Sequence, residues 1–231
     1  MDISMILNGE EWMPASMFNS ILIVLILSVF FIICSRAVKG ADPKKPSKGL
    51  VFFLELVVTN IEGMCKSMIN DQKGRFGPFI GMLIFYLVIA NLLGLIGLVT
   101  PTSNYNVTLS LALFSLLYLN FSGIQIKGVL RHLKDTFLGD FPVLLPLNII
   151  GELSKILSLS FRLFGNILSG SVITFVVIYL LGWFTIPLMP VLNLYFDVFA
   201  GLLQTMIFCF LLMIWLGDVI VDDEEKKENK I

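Results

Sequence analysis

Charged residues are scarce in this sequence of 231 residues. Asp, Glu, Lys and Arg make up 14% of the chain, whereas soluble domains carry about 25%. The hydrophobic fraction is 57%, and several apolar segments reach the roughly 20 residues that span the hydrocarbon of a bilayer. The shortage of charge therefore excludes an ordinary soluble domain and indicates an all-α, polytopic membrane protein in contact with lipid.

Other absences exclude further classes of function. The net charge is −1 and no basic face is visible, which argues against a nucleic-acid partner. No GxxxxGK[ST] segment occurs, so we expect this chain to bind no nucleotide and to hydrolyse nothing. The cysteines Cys34, Cys65 and Cys209 lack paired spacing and are interpreted as small buried hydrophobic side chains. We expect no catalytic residue, metal or cofactor.

The first seventeen residues contain no Lys or Arg. A secretory signal would have a basic region before its apolar core, so we predict a retained extracytoplasmic N-terminus at 1–17 and a first span at 18–35. Two further apolar runs predict spans at 78–99 and 107–126.

The segment 50–70 differs from these spans because it contains acidic residues. Glu55 and Glu62 are seven residues apart, so they share one face of a helix. This pattern predicts an amphipathic helix that lies on the membrane surface.

The last two apolar regions are too long for upright spans. The region 142–182 would measure about 60 Å as one helix, twice the ~30 Å of the hydrocarbon. It must therefore tilt strongly, lie partly in the plane or break. A Pro-rich turn at 182–193 leads to the fifth region at 191–217. The charged segment 218–231 has the composition of a disordered cytoplasmic tail.

The basic residues orient the chain, because they concentrate on the cytoplasmic side of a membrane protein. They follow the first span, precede the second, follow the third and recur in the tail: Arg36, Lys39, Lys44, Lys45, Lys48, Lys66, Lys73, Arg75, Lys127, Arg131, Lys134, Lys226, Lys227 and Lys230. Five crossings with the N-terminus outside place every loop that contains these basic residues on the cytoplasmic side. A crossing by 50–70 would invert the later loops.

A permanent cation, Arg162, lies within the fourth apolar region. Arginine at the centre of a bilayer costs about 2.5–3.5 kcal/mol on insertion scales, so its presence there indicates an ion pathway. Ser158, Asn166 and Ser169 share its helical face, and its own helix has no acid within four residues. The counter-charge must therefore come from elsewhere, including from another chain.

A second polar face is predicted on the last helix, where Asn193, Asp197, Gly201 and Gln204 follow helical spacing. Two polar faces on consecutive antiparallel helices should meet each other or a common partner.

Structural explanations compete with functional ones at several positions. Ser158 and Asn148 are typical of polar contacts between helices, and Gly165, Gly170 and Gly201 of close helix packing. Lys155 can extend toward the cytoplasmic end and pair with Glu152. Asp197 can neutralise Arg162. His132 is interpreted as a solvated residue of a basic loop.

The motif RLFGN, within PLNIIGELSKILSLSFRLFGNILSG, resembles the signature of subunit a of the rotary F-type ATP synthase. NVTLSLAL after the PTSN turn and LLQTMIF in the last helix resemble the same family, in the same order. This resemblance implies a bacterial-type stator subunit in the plasma (inner) membrane. Its partners would be a ring of c subunits, the peripheral-stalk b subunits and the rest of the complex.

The resemblance also implies a mechanism. Two offset half-channels would carry H⁺ or Na⁺ to and from carboxylates of the c-ring, while a tilted hairpin of the last two helices packs along that ring. Arg162 would stand between the half-channels, with Gln204 near it. Asn166 and Glu152 would line the pathway, Glu152 at the inner end. The resemblance does not decide which ion is carried.

One position departs from the family pattern. The family often has an ionisable residue nine positions after the arginine, where this chain has Ser171. Its usual partner position, seven before Gln204, is Asp197. We therefore expect Asp197 to line a half-channel and Ser171 to hold water there, since a hydroxyl does not titrate usefully.

Two other functions stay open at this point. A secondary ion-coupled transporter would have a substrate site at the midplane, but such folds usually show internal repeats, and only one half of this chain is rich in polar residues. A purely structural membrane scaffold would tolerate the loss of Arg162.

Overall fold

The structure is a computed structural model that describes residues 14–39, 49–69, 74–138 and 145–228. Every regular element in these ranges is helical, which confirms the all-α prediction. The α-helices are α1 (Ala15–Lys39), α2 (Leu50–Ile69), α3 (Gly77–Leu92), α4 (Tyr105–Lys127), α5 (Val129–Leu133), α6 (Leu145–Leu181), α7 (Thr185–Asn193) and α8 (Gly201–Glu228). Short 3-10 turns and two π-helical stretches connect some of them.

Four stretches of the described chain are long and apolar enough to cross a membrane. Three of them, Ala15–Arg36, Gly77–Ile96 and Tyr105–Lys127, overlap the first three predicted spans, whose crossing of the membrane stays a prediction. The fourth, Leu145–Ile220, has 76 residues and includes both of the last predicted regions. Only 6% of an apolar 18-residue window in this stretch is buried within the chain, so its surface must be covered by lipid or by another subunit.

The fourth stretch folds back on itself as an antiparallel hairpin. Asn166 contacts Gln204, and the backbone at Gly170 lies against Phe196. Nearer the turn, Thr185 donates a hydrogen bond to the carbonyl of Val177. The sequence separation of these pairs falls steadily toward Gly182, as an antiparallel pair of helices requires.

The Pro-rich segment 182–193 is not wholly a turn, so that prediction is wrong for most of it. Reversal is confined to Gly182–Phe184, where Gly182 has φ +50°, a value that glycine adopts without strain. Thr185–Asn193 is helical. Pro187 lies in its first turn, where a backbone N–H has no partner within the helix in any case, whereas Pro190 lies inside it.

Helix α2 confirms the helix predicted at 50–70, and it is not among the candidate spans of the described chain. Its buried residues Leu54, Ile61, Cys65 and Ile69 recur at helical spacing, and α2 packs against α1, α3 and α8. Its position at the membrane surface stays a prediction.

Helix α3 lies at the centre of the packed core. Its side chains Ile80, Leu83 and Leu87 are fully buried, together with Leu163 of α6 and Phe208 of α8. This packing fixes the hairpin against the earlier helices. The three cysteines are free and buried, which confirms their interpretation as hydrophobic side chains.

The predictions for the two ends of the chain have different outcomes. Most of the predicted extracytoplasmic segment, residues 1–13, lies outside the described residues, as do 229–231. Disorder predicted for the charged tail is wrong for 218–228, because α8 continues to Glu228. Glu and Lys are good helix formers, and propagation from an existing helix avoids the cost of nucleation.

Candidate functional site

Arg162 lies near the middle of α6 and is half-buried. It forms no ion pair with any residue that the structure describes. The alternative in which Asp197 neutralises it is therefore not realised within this chain. A fixed cation in an apolar stretch still needs a counter-charge, and the described residues do not supply one.

The polar face around Arg162 is open. Ser158, Asn166 and Ser169 are exposed, whereas Leu159 and Leu163 on the other side of α6 are buried. The hydroxyl of Ser169 donates to the carbonyl of Asn166, so it needs no external partner. The face that displays Arg162 is thus the face that the rest of the chain leaves uncovered.

The two predicted polar faces meet at Asn166 and Gln204. Nδ2 of Asn166 donates a hydrogen bond of 2.8 Å to Oε1 of Gln204. Gln204 is only 3% exposed, and its Nε2 is buried without a hydrogen-bond partner. The bond fixes the Gln204 side chain one turn of α6 away from Arg162.

Asp197 lies in a π-helical stretch, Leu194–Ala200, and lines a cavity of about 440 Å³. We name this the Asp197 cavity. Its lining includes Gly94, Thr100, Ser103, Asn166, Ser171, Asn193 and Asp197. The structure thus brings the side chains of Asp197 and Ser171 to one cavity, whose lining also includes apolar side chains such as Phe175 and Phe196. Ser171 itself donates to the carbonyl of Ile167.

Gly201 packs against α3, whereas Gln204 on the same predicted face bonds to Asn166 of α6. A Cβ at Gly201 would lie 2.9 Å from Cβ of Asn91, so the glycine permits close packing of α8 on α3. Nδ2 of Asn91 donates to the carbonyl of Gly201, and Thr102 donates to Oδ1 of Asn91.

Close helix packing was also predicted at Gly165 and Gly170, and the outcome differs between them. A Cβ at Gly170 would lie 3.2 Å from the ring of Phe196, whereas nothing lies within 4 Å at Gly165. Close packing is therefore confirmed at Gly170 and is not seen at Gly165. Asn148 donates to the carbonyl of Phe137 and holds the segment before α6.

Glu152 lines a second polar space of about 210 Å³, which we name the Glu152 cavity. Oε1 of Glu152 pairs with Nζ of Lys155 at 2.5 Å, as predicted, and Lys155 lies over the ring of Trp215. Oε2 of Glu152 is buried without a hydrogen-bond partner. The sequence analysis missed further polar residues of this lining: Asn120, Lys127, His132, Asp135, Thr136 and Asp218.

His132 is buried, with an exposed fraction of 2%, so its interpretation as a solvated loop residue is wrong. The ring lies against the backbone of Gly123, where any side chain would collide with it. Burial lowers the pKa of His132 below its usual value, and Lys127 lowers it further, against a weaker opposing effect of Glu152 and Asp135. Only the glycine of α4 leaves room for this placement.

The two cavities lie toward opposite ends of α6. Glu152 precedes Arg162 by ten residues and Ser171 follows it by nine, so these two lining residues are about 28 Å apart along the helix axis. Arg162 lines neither of them. No cluster of His, Cys, Asp and Glu in the described ranges has the geometry to hold a metal ion.

Known proteins are similar to this chain over most of its length. ATP synthase subunit a of Aliarcobacter butzleri is 34% identical over 225 residues, which cover 94% of this chain and 93% of that protein. The subunits a of Syntrophobacter fumaroxidans and Helicobacter hepaticus are 35% and 33% identical, over 80% and 87% of this chain and 77% and 89% of their own lengths. The family model of the ATP synthase A chain matches residues 17–217, so the chain belongs to the ATP synthase A chain family.

Proposed function

We propose that this chain is the stator channel subunit of an F-type ATP synthase. It would provide two offset half-channels that carry ions to and from carboxylates of a rotating c-ring, and so couple ion flow to rotation and ATP synthesis. The observation that carries the proposal is Arg162, a cation unpaired within the described chain. It lies on the uncovered face of α6, between two cavities that each contain a carboxylate.

The uncovered face of α6 favours a partner that carries a negative charge. Lipid tails cannot stabilise a guanidinium, whereas a carboxylate on a neighbouring ring of helices can. The exposed residues Ser158, Asn166 and Ser169 flank Arg162 on this face. A passing carboxylate would therefore lose its ion beside Arg162 and be held there as an anion, because an opposite charge nearby favours the charged form.

The two cavities support separate access from the two sides of the membrane. In the proposal, the Asp197 cavity belongs to the outer half-channel and the Glu152 cavity to the inner one. The positive charge of Arg162 lies between them and repels H⁺ or Na⁺, so ions cannot pass directly from one cavity to the other. They must travel on the ring, driven by about 2.3 kcal/mol per charge per 100 mV.

The orientation follows the positive-inside rule. The α1 end with Arg36 and Lys39 and the α4 end with Lys127 would face the cytoplasm of a bacterium, across its plasma membrane. We propose five crossings, with the α6–α8 hairpin tilted along the c-ring and α2 on the surface. The b subunits of the peripheral stalk and the rest of the synthase would complete the set of partners.

ATP-driven ion pumping by the assembled complex tests the proposal. Arg162→Ala removes the positive charge between the cavities, so we expect ATP-driven ion pumping in reconstituted vesicles to vanish while the complex still assembles. Arg36→Ala is the matched control, because Arg36 is an exposed arginine at the end of α1. Pumping that survives in Arg162→Ala at the level of the control contradicts the proposal.

A further inference from the structure

We propose that His132 is a proton-exchanging residue of the Glu152 cavity, where its Nδ1 takes up and releases protons on their way through that cavity. This inference rests on the proposed function and deepens it, since it adds a residue to the pathway and specifies the proton as an ion that passes there. The chain has one histidine, so the imidazole can be tested by a single substitution.

The hydrogen bonds around His132 fix its tautomer. Nδ2 of Asn120 donates to the carbonyl of Leu116 at 3.0 Å, which orients the Asn120 amide. Its Oδ1 therefore faces Nε2 of His132, at 3.2 Å. An amide oxygen only accepts, so Nε2 must carry the hydrogen of the neutral ring. Nδ1 is then an unprotonated acceptor.

Nδ1 is buried and has no hydrogen-bond partner. Buried polar atoms of side chains are nearly always satisfied by protein or by ordered water. His132 lines the Glu152 cavity, a polar space of a size that holds several waters. A water that reaches the ring from this cavity would be the partner of Nδ1 and would transfer a proton to that atom.

Neighbouring residues on both sides fix the orientation of the His132 ring. A Cβ at Gly123 would lie 2.5 Å from Nδ1, so the ring fills the space that the missing side chain leaves. On the other edge, Asn120 retains the Nε2–H. The ring is therefore held with Nδ1 beside the backbone of Gly123 while Nε2 stays bonded to Asn120.

Charged groups from every neighbouring element surround the cavity. Lys127 from α4 and Lys155 from α6 are cationic; Asp135, Glu152 and Asp218 are acidic. Lys127 lies 3.9 Å from Asp135, and Lys155 pairs with Glu152. Three acidic side chains and two cationic ones line this cavity; Glu152 and Asp135 favour the protonated ring, whereas Lys127 and burial favour the neutral one.

The step conserves atoms and charge. A hydrated proton in the cavity gives its proton to the lone pair of Nδ1, which leaves water and an imidazolium. The imidazolium later returns the proton from Nδ1 to cavity water, while Nε2–H stays bonded to Oδ1 of Asn120. Because the pKa of His132 is lowered below its usual value by burial and by Lys127, the ring is neutral near pH 7 and ready to accept.

Proton pumping by the complete complex in vesicles, without added Na⁺, tests the role of His132. The pumping rate is divided by the rate of uncoupled ATP hydrolysis at each pH of the cytoplasmic side. We expect the wild type to show an inflection at mildly acidic pH. His132→Gln should lower the ratio several-fold and abolish the inflection, whereas Lys134→Gln, an exposed cation on the same segment, should change neither.

Asn120→Asp keeps the ring in place and serves as the second variant. A carboxylate beside Nε2–H stabilises the imidazolium, so the inflection should move to higher pH by about one unit. An unchanged inflection in His132→Gln overturns the proposal. If that variant fails to assemble, an unchanged inflection in Asn120→Asp overturns it, as does the absence of proton pumping by the wild type.

Arg162→Ala, measured in parallel, separates the two proposals. Lost pumping in Arg162→Ala with an unaltered pH profile in His132→Gln overturns only the role of His132. Retained pumping in Arg162→Ala overturns the proposed function itself.

Discussion

Asn166 of α6 donates a 2.8 Å hydrogen bond to Gln204 of α8 across 38 residues of sequence. The bond joins the two helices at the level of Arg162, and Gln204 is almost fully buried. It therefore links the packing of the hairpin to the position of the residue on which the proposed coupling depends.

Removal of the Asn166 amide should destabilise the hairpin. In Asn166→Ala, neither polar atom of the Gln204 amide keeps a partner within the chain, because Nε2 already lacks one. We expect a loss of about 1–3 kcal/mol in the free energy of unfolding, measured by denaturant titration in detergent. Ser169→Ala is the control, since Ser169 is exposed and bonds only its own helix. Equal stability of the two variants would contradict this reading.

Gly94 should control the position of Asp197. A Cβ at Gly94 would lie 2.9 Å from Cγ of Asp197. Gly94→Ala must therefore displace either the carboxylate of Asp197 or the 3-10 turn that contains Gly94. We expect Gly94→Ala and Asp197→Asn to reduce ion pumping by the reconstituted complex to a similar extent.

Gly63→Ala is the matched control for Gly94→Ala. Nothing lies within 4 Å of a Cβ at Gly63, and alanine inside a helix is about 0.5–1 kcal/mol more favourable than glycine. Full pumping in Gly94→Ala would contradict this prediction, because it would show that ion pumping does not depend on the position of the Asp197 carboxylate.

The contact of α8 with α3 depends on Gly201. Gly201→Ala would press a methyl group against Cβ of Asn91, 2.9 Å away. Overpacking of this kind costs about 1–3 kcal/mol, which denaturant titration would detect. Gly165→Ala is the control, because nothing lies within 4 Å of that site. A stable Gly201→Ala protein would mean that α3 and α8 separate easily.

Acid should destabilise the packing of α5 on α4 through His132. Its pKa is lowered in the folded chain, mainly by burial, so the unfolded chain binds a proton first as the pH falls. The stabilisation is complete above the unfolded pKa of about 6.5 and is lost as the pH falls through the folded pKa. Thermal unfolding between pH 5 and 8 should show this slope, and His132→Gln should flatten it.

Much of the fold could be predicted from hydropathy alone. Apolar runs of sufficient length located α1, α3 and α4, because length against bilayer thickness is a direct physical constraint. The excess length of 142–182 indicated that the last region could not be one upright helix. Helical spacing placed Asn166 and Gln204 on facing sides of two helices, and the structure joins them.

The remaining features depend on three-dimensional contacts that spacing does not encode. Helical spacing does not show that Gly201 lies against Asn91 of α3 instead of α6. His132 is in a basic segment, which favours exposure, yet the missing side chain of Gly123 makes room for its ring. The charged tail extends a helix because α8 has already paid the cost of nucleation.

ATP synthesis driven by an imposed ion gradient tests the central claim most directly. The complete complex with Arg162→Ala, reconstituted beside the wild type and Arg36→Ala, should assemble normally and make no ATP, because the travelling carboxylate would lose the fixed cation of this face. Synthesis by Arg162→Ala at the wild-type rate would contradict the account.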